Sequence, residues 1–206
     1  MKKPRQIVNY GRLFKLFNEK VSLPSRFQRL SAILNLFLKG SNEILDVGSR
    51  YGRLAYRIEK ETGKHFIGVD VHPQSRAFIP IVKCDGARLP FENNSFDCVI
   101  IIDVLHHDSN PNNIIKEAKR VTKKYILIKD HYWKNKFDLK LLKTFDYISN
   151  FPYGISLPYN YIQTERWNKL FEQNNLKVVI MKKFRYSLFD LCKHVIFKLE
   201  KIREKT

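Results

Sequence analysis

Residues 44–52 read Ile44-Leu45-Asp46-Val47-Gly48-Ser49-Arg50-Tyr51-Gly52, and this stretch decides the fold. An apolar run ends at a glycine turn, and residues 54–60 continue with helical spacing. Glycine lets a ligand press against the backbone, and the N-terminus of a helix offers unpaired N–H groups. The stretch therefore predicts a ligand-binding loop between a strand and a helix, although a tight structural turn would also explain it. Its spacing is not that of the dinucleotide loop G-x-G-x-x-G.

Outward from this loop, apolar strands alternate with amphipathic helices. Because each predicted strand is a continuous apolar run, the alternation predicts a doubly wound α/β fold with a mostly parallel sheet covered on both faces. Residues 194–200 predict a last strand, although a basic amphipathic helix fits nearly as well. The other predicted strands are 66–69, 79–83, 98–102, 125–128 and 177–181, and the helices that follow are 111–122, which Pro111 begins, and 164–174, which Thr164 caps.

Two regions stand outside this alternation. Residues 1–40 predict an N-terminal helical cap, with one helix over 10–20 and a second that begins near Ser25 and ends at Gly40. Residues 132–163 are rich in aromatic residues, Asn and Pro, with little periodicity, and predict an inserted lid or substrate segment after the fifth strand. With 206 residues, we expect one domain, in which residues 41–206 form the ligand-binding part.

The composition excludes several classes of protein. Three widely separated cysteines predict reduced thiols, and neither an apolar run long enough to span a membrane nor a signal-peptide pattern is present. We therefore expect a cytoplasmic protein. The net charge of +18 is carried by residues 1–40 and 111–206, whereas residues 41–110 hold eight basic and ten acidic residues. Such flanks favour an acidic partner or peripheral attachment to a membrane surface, although a generally lysine-rich proteome would also explain them.

Three acids fall at predicted strand ends in order. Asp46 precedes the glycine turn, Asp70 ends the second strand, and Asp85 follows the third. A carboxylate at the tip of the second strand can accept hydrogen bonds from ribose hydroxyls, and one after the third strand can reach an adenine amine. Each acid alone has an ordinary structural explanation, but the ordered set favours a nucleoside site.

In this order, the blocks resemble class I S-adenosylmethionine-dependent methyltransferases, in particular the type 11 group. The resemblance covers about residues 42–130. It rests on Asp46, Gly48, Gly52, Asp70, Asp85, Leu89-Pro90-Phe91, Ser95-Phe96-Asp97 and Leu105-His106-His107.

The resemblance implies a Rossmann-like sheet of seven strands, with an antiparallel last strand, that binds S-adenosylmethionine. Gly48 and Gly52 would line the methionine and ribose, Asp70 would hold the ribose hydroxyls, and Asp85 would hold the adenine amine. Arg50 departs from the family, which has glycine there, so it could crowd the cofactor or point to solvent. The full cofactor site that we expect is Asp46, Gly48, Ser49, Gly52, Asp70, Val71, Asp85, Gly86 and Asp103.

Candidate catalytic residues follow the fourth and fifth strands. Methyl transfer needs a base only if the acceptor loses a proton, and His is the usual base near neutral pH. We predict Asp130, His131 and His107, although His106 and His107 also fit a structural turn. A metal site built from His106, His107, Asp130 and His131 would be conceivable, but no ligand spacing identifies one and none is predicted. In the insertion, Tyr153 and Tyr159 are the predicted substrate contacts.

The resulting hypothesis is methyl transfer from S-adenosylmethionine to a small or lipid-linked, and conceivably anionic, acceptor. Two alternatives remain open: an RNA methyltransferase, favoured by the net charge and the aromatic insertion, and a methyltransferase-like binding protein without activity, favoured by Arg50. The sequence does not determine the acceptor atom or the oligomeric state.

Overall fold

A computed structural model describes residues 23–150, 158–187 and 190–202. The predicted helix over 10–20 and the predicted substrate residue Tyr153 lie outside these residues. In chain order, the elements are α1 (Leu23–Phe37), β1 (Glu43–Val47), α2 (Arg53–Thr62), β2 (His65–Asp70), β3 (Ile81–Lys83), β4 (Phe96–Ile102), a 3-10 turn (Leu105–His107), α3 (Pro111–Val121), β5 (Thr122–His131), α4 (Lys136–Asn150), α5 (Thr164–Gln173), β6 (Leu176–Phe184) and β7 (His194–Lys201).

The seven strands form one sheet in the order β3-β2-β1-β4-β5-β7-β6. The pairs from β3 to β5 are all parallel, and β7 runs antiparallel to both of its neighbours. The strand order reverses between β1 and β4, and open α/β sheets bind ligands outside the carboxyl ends of their strands at such a point. The predicted Rossmann-like architecture with an antiparallel last strand is confirmed.

Apolar side chains cover both faces of the sheet, as a doubly wound fold requires. One core joins α3 and α5 to the sheet and includes Leu45, Val99 and Trp167. The other joins α1 and α2 and includes Ile44 and Cys98. Alternate residues of β1 and β4 thus enter opposite cores, which is why these strands are apolar throughout.

The last element is a strand, and the alternation of Lys198 and Glu200 with apolar residues had obscured its burial. Lys198 is buried: its Nζ donates to the carbonyl oxygen of Phe37 at 2.7 Å and lies 4.1 Å from the centre of the Tyr125 ring. A lysine can pack its stem among apolar groups when its ammonium finds an acceptor. Residues 194–201 are therefore buried on both faces of a strand and do not form the alternative amphipathic helix.

Several predicted boundaries were wrong. α5 has Gln163 rather than Thr164 at its N-cap, whereas the helix expected near Ser25 begins close to it, at Leu23. The third strand begins at Ile81 rather than at residue 79. The insertion contains α4, in which Leu142 is buried and Phe137 is exposed. Aromatic residues on the exposed face of α4 had masked its helical period. No helix within the described ranges is long and apolar enough to cross a membrane.

Candidate functional site

The loop after β1 is shaped by two glycines with positive φ. Gly48 has φ 76°, and a Cβ there would lie 2.4 Å from Cγ2 of Val104. Gly52, the N-cap of α2, has φ 66°, and its Cβ would lie 2.3 Å from Cγ1 of Ile79. The loop thus packs tightly on the neighbouring segments, so packing alone would select glycine at both positions.

Arg50 keeps the loop conformation that glycine would adopt. Its φ is 54°, and its backbone N–H donates to Oδ2 of Asp70 at 2.8 Å. The side chain is exposed, and its guanidinium lies 5.7 Å from the centre of the Tyr51 ring. A left-handed conformation costs a non-glycine residue about 1–2 kcal/mol. The side chain extends from the loop surface, and the backbone contact with Asp70 does not depend on its identity.

Asp70 is held at the carboxyl end of β2 by backbone donors. Its Oδ2 accepts from the N–H of Arg50, and its Oδ1 accepts from the N–H of His72 at 2.8 Å. An ionised carboxylate has about four acceptor sites, so capacity for two hydroxyl donors remains. This orientation fits the role predicted for Asp70 toward ribose.

The side chain of Asp46 is buried in β1, between the parallel neighbours β2 and β4. Burial, followed by repulsion from the Asp70 carboxylate, raises the pKa of Asp46 to about 7. A buried carboxylate without a compensating charge costs stability. The local chemistry suits a cationic ligand, which would supply that charge.

The remaining predicted cofactor residues lie on the loops next to this pair. Asp85 is exposed after β3, and its Oδ1 accepts from the N–H of Ala87 at 2.9 Å. Asn113 donates to the carbonyl oxygens of Gly86 and Ala87 at 3.3 and 2.9 Å, which fixes the turn. Val71 is exposed after β2. Ser49 is half-buried, and its Oγ lies 3.5 Å from the carbonyl oxygen of Val69.

A second group of polar side chains lies at the same edge, after β4 and at the carboxyl end of β5. We call Asp103, His106, Asp130 and His131 the histidine–aspartate cluster, because their ligand atoms all lie within 4.8 Å of one another. Asp103 has φ 56° and accepts 2.6 Å hydrogen bonds at both oxygens from Nζ of Lys129, which is fully buried. Although burial opposes ionisation, the nearby Lys129 ammonium holds the pKa of Asp103 below its usual range.

His106 and Asp130 form a buried pair. Nδ1 of His106 lies 2.6 Å from Oδ1 of Asp130, which also accepts from the backbone N–H of His131. Burial disfavours the charged imidazole, but the carboxylate of Asp130 outweighs it and raises the pKa of His106. For His131, burial and the Lys129 ammonium lower the pKa.

The cluster is extended by residues that the sequence analysis missed. In the antiparallel register, His194 of β7 lies opposite His131, with ring centres 4.6 Å apart. Nε2 of His194 lies 2.9 Å from Oδ2 of Asp190, while burial and the Lys129 ammonium lower the pKa of His194 to about 3. Tyr161 stacks on His106 at 5.0 Å. Only a register prediction for β5 and β7 would have found His194.

The predicted residues thus fall into two adjoining groups. The acids at the carboxyl ends of β1 and β2 and after β3 lie at one part of the sheet edge, and Asp103, Asp130 and His131 lie together at the next part. His107 is half-buried, and its ring centre is 4.1 Å from that of His106. Tyr159 contacts Lys143, whose Nζ is 5.4 Å from the centre of the Tyr159 ring.

Sequence comparison matches the central part of the chain to a known family. Residues 45–126 match the family described as "Methyltransferase domain". An alignment over 102 residues is 31% identical to sterol 24-C-methyltransferase of Gibberella zeae and covers 43% of this chain and 27% of that protein. An 85-residue segment is 33% identical to an uncharacterised protein of Methanocaldococcus jannaschii and covers 39% of each. The matched segments span between a quarter and two fifths of the length of these relatives.

Solved structures share the fold. A SAM-dependent methyltransferase of Methanosarcina mazei superposes with a TM-score of 0.63 at 18% identity, over 84% of this chain and 98% of that one. Magnesium protoporphyrin IX methyltransferase of Synechocystis, solved with bound SAH, gives a TM-score of 0.61 at 15% identity, over 85% and 83%. Residues 45–126 thus match a methyltransferase-domain family, and the sheet as a whole has the fold of these solved methyltransferases.

Proposed function

We propose that the protein transfers a methyl group from S-adenosylmethionine to a small or lipid-linked acceptor bound beside the histidine–aspartate cluster. The observation that carries the proposal is the adjacency of two groups on one sheet edge: the loop with Asp46 and Asp70, and the polar cluster after β4 and β5. The similarity to a sterol methyltransferase supports an acceptor of this kind.

The residues present fit S-adenosylmethionine. Asp46 is a buried carboxylate next to the loop that ends at Gly52, the N-cap of α2. It would face the positive charge of the cofactor, and Asp70 would accept the ribose hydroxyls. Ser49, Val71, Asp85 and Gly86 would border the nucleoside, and Asp103 would border the methionine end. When bound, the cofactor supplies an electrophilic methyl group on a sulfonium.

On the acceptor side, the chain binds, orients and excludes water. In-line displacement at a methyl group depends strongly on positioning. Asp130 and His131 are held by the buried hydrogen bonds of the cluster, so both present fixed polar atoms to an acceptor. His107 has a buried Nδ1 without a hydrogen-bond partner among the described residues. We propose Asp130, His131 and His107 as acceptor-contacting residues, with Tyr153 and Tyr159 on the inserted lid.

Calorimetry with S-adenosylmethionine and S-adenosylhomocysteine tests the cofactor half of the proposal. We expect the native chain to bind both, and Asp70→Ala to weaken binding on the order of tenfold or more, because a hydrogen bond to a charged group contributes about 1.5–3 kcal/mol. Glu92→Ala, which removes an exposed acid away from the loop, is the matched control and should bind as the native chain does. Absence of binding by the native chain would refute the proposal.

The net charge favours RNA as a second candidate acceptor. That function predicts RNA binding that weakens steeply between 50 and 200 mM salt, roughly a thousandfold if about six phosphates are contacted. Filter binding at both salt concentrations decides, and weak or salt-insensitive binding favours the small acceptor. A chain that binds the cofactor but forms no S-adenosylhomocysteine with any acceptor class would instead be a binding protein.

A further inference from the structure

The histidine–aspartate cluster contains buried polar atoms that its own hydrogen bonds leave unsatisfied. Asp130 is 2% exposed, and its Oδ1 is hydrogen-bonded, yet its Oδ2 has no partner among the described residues. Nδ1 of His131 is also buried without a hydrogen bond. A buried polar atom left unsatisfied costs about 1–3 kcal/mol, and such atoms mark the place of an ion, a water molecule or a ligand.

We propose that the cluster binds one divalent transition-metal ion, with Asp103, Asp130 and His131 as ligands and His106 as the residue that orients Asp130. Nδ1 of His131 lies 3.4 Å from Oδ1 of Asp103 and 3.7 Å from Oδ1 of Asp130. Two ligands about 2.1 Å from a tetrahedral ion are about 3.4 Å apart. His131 and Asp103 are therefore already spaced as ligands of one ion, and a ligand atom of Asp130 lies within 4.8 Å of both.

The charges of the cluster favour a cation. Asp103 and Asp130 carry two negative charges, and the buried Lys129 ammonium compensates one of them through its two hydrogen bonds to Asp103. The Asp130 carboxylate is compensated only while His106, at 2.6 Å, is protonated; with His106 neutral, one negative charge remains among buried groups, where an uncompensated charge is costly. A divalent ion beside Asp130 supplies the missing positive charge.

The surrounding residues match the usual support of a metal site. Ligating carboxylates and imidazoles are ordinarily held by outer hydrogen bonds, which fix their orientation. Here Nδ1 of His106 and the backbone N–H of His131 both contact Oδ1 of Asp130, at 2.6 and 2.7 Å. His106 is in turn stacked on Tyr161, with the planes inclined by 17°. This leaves Oδ2 of Asp130 available for the ion.

The donor set selects the class of metal. Mg²⁺ and Ca²⁺ prefer oxygen ligands, whereas a mixture of imidazole nitrogen and carboxylate oxygen suits Zn²⁺, Co²⁺, Fe²⁺ or Mn²⁺. Three protein ligands leave coordination positions open, as in catalytic sites. An oxygen atom of the methyl acceptor would fit such a position. That last step rests on the proposed methyl transfer, whereas metal binding itself does not.

The test uses the untagged full chain, stripped with a chelator and titrated with Co²⁺. Bound metal per chain is measured by mass spectrometry after gel filtration, and coordination by the visible absorption of Co²⁺. We expect one ion per chain and a Kd raised on the order of tenfold or more in His131→Gln. His65→Gln is the control, because His65 is exposed at the start of β2, on the opposite edge of the sheet; it should leave the Kd unchanged.

Asp130→Asn, a near-isosteric second variant, should weaken Co²⁺ binding as His131→Gln does, with thermal unfolding used to confirm that each variant is folded. Substoichiometric binding by the native chain would overturn the metal site, as would variants that bind like the native chain or an equal loss in His65→Gln. Calorimetry with S-adenosylhomocysteine on the same samples separates the two proposals. Cofactor binding without metal binding overturns only the metal site, and metal binding without cofactor binding overturns only the proposed function.

Discussion

At the scale of single residues, Asp46 combines a functional position with a cost to stability. Its carboxyl is buried in the central strand, and its pKa is raised to about 7 by burial and by Asp70. Because the folded state then binds a proton more tightly than the unfolded chain, Asp46 favours folding fully only below about pH 4. That contribution is lost as the pH rises through about 7.

We therefore expect Asp46→Asn to stabilise the cofactor-free chain at pH 8 by up to about 4 kcal/mol, since the pKa is raised from 3.8 to about 7 and each unit of pKa difference corresponds to about 1.4 kcal/mol. The gain should disappear below about pH 4, where the native carboxyl is protonated in both states. Urea unfolding at pH 4 and pH 8 measures both values. A variant less stable than the native chain at pH 8 would show that a cationic or hydrogen-bond-donating group compensates the buried carboxylate in the native fold.

The same residue predicts how cofactor affinity depends on pH. If the Asp46 carboxylate faces the cationic cofactor, affinity should fall as the pH drops below about 7, because the carboxyl becomes protonated. In Asp46→Asn, affinity should be lower at pH 8 and nearly constant between pH 6 and 8. Calorimetry with S-adenosylmethionine across this range checks it. A pH-independent native affinity would remove Asp46 from the cofactor site.

The contacts of Arg50 predict that replacing its side chain changes cofactor affinity and stability little. The contact with Asp70 is made by its backbone N–H, and the side chain is exposed. Arg50→Gly should therefore leave the affinity for S-adenosylhomocysteine within about threefold, and the relief of the left-handed conformation should offset the added chain entropy to within about 1 kcal/mol. Calorimetry and thermal unfolding measure these effects. A tenfold change in affinity would mean that the side chain contacts the cofactor.

At the scale of elements, α5 secures the antiparallel end of the sheet. Trp167 and Phe171 are almost fully buried, and both rings contact Phe197 of β7, at 5.3 and 5.0 Å between ring centres. Because β7 carries His194, this packing also positions His194 beside the histidine–aspartate cluster. Phe137 of helix α4, by contrast, is exposed and buries little apolar surface.

Trp167→Ala should lower the free energy of unfolding by about 3–5 kcal/mol, the range for removing a large buried aromatic side chain. Phe137→Ala, at a position 69% exposed, should change it by less than about 0.5 kcal/mol. Denaturant unfolding at constant pH compares the two variants. Equal effects would contradict the assignment of α5, rather than α4, to the core.

At the scale of the whole molecule, the net charge of +18 opposes compaction and attracts anions. Because salt screens this repulsion over a Debye length of about 10 Å at 0.1 M, we expect the thermal midpoint to rise by a few degrees between about 20 and 300 mM NaCl. Differential scanning calorimetry measures it. A fall in the midpoint would mean that favourable ion pairs, rather than net repulsion, dominate the electrostatics of the folded chain.

The sequence by itself determined the parallel part of the sheet, its two-sided burial and the order of the acids after β1, β2 and β3. These follow from local pattern, because apolar runs specify buried strands and the carboxyl ends of parallel strands meet at one edge. Only the tertiary structure decided that residues 194–201 form a strand, since the burial of Lys198 depends on the carbonyl of Phe37, 161 positions away. It also brought His194 beside His131 and left Oδ2 of Asp130 unpartnered. Pairing register and hydrogen-bond satisfaction arise between distant segments, and no local pattern encodes them.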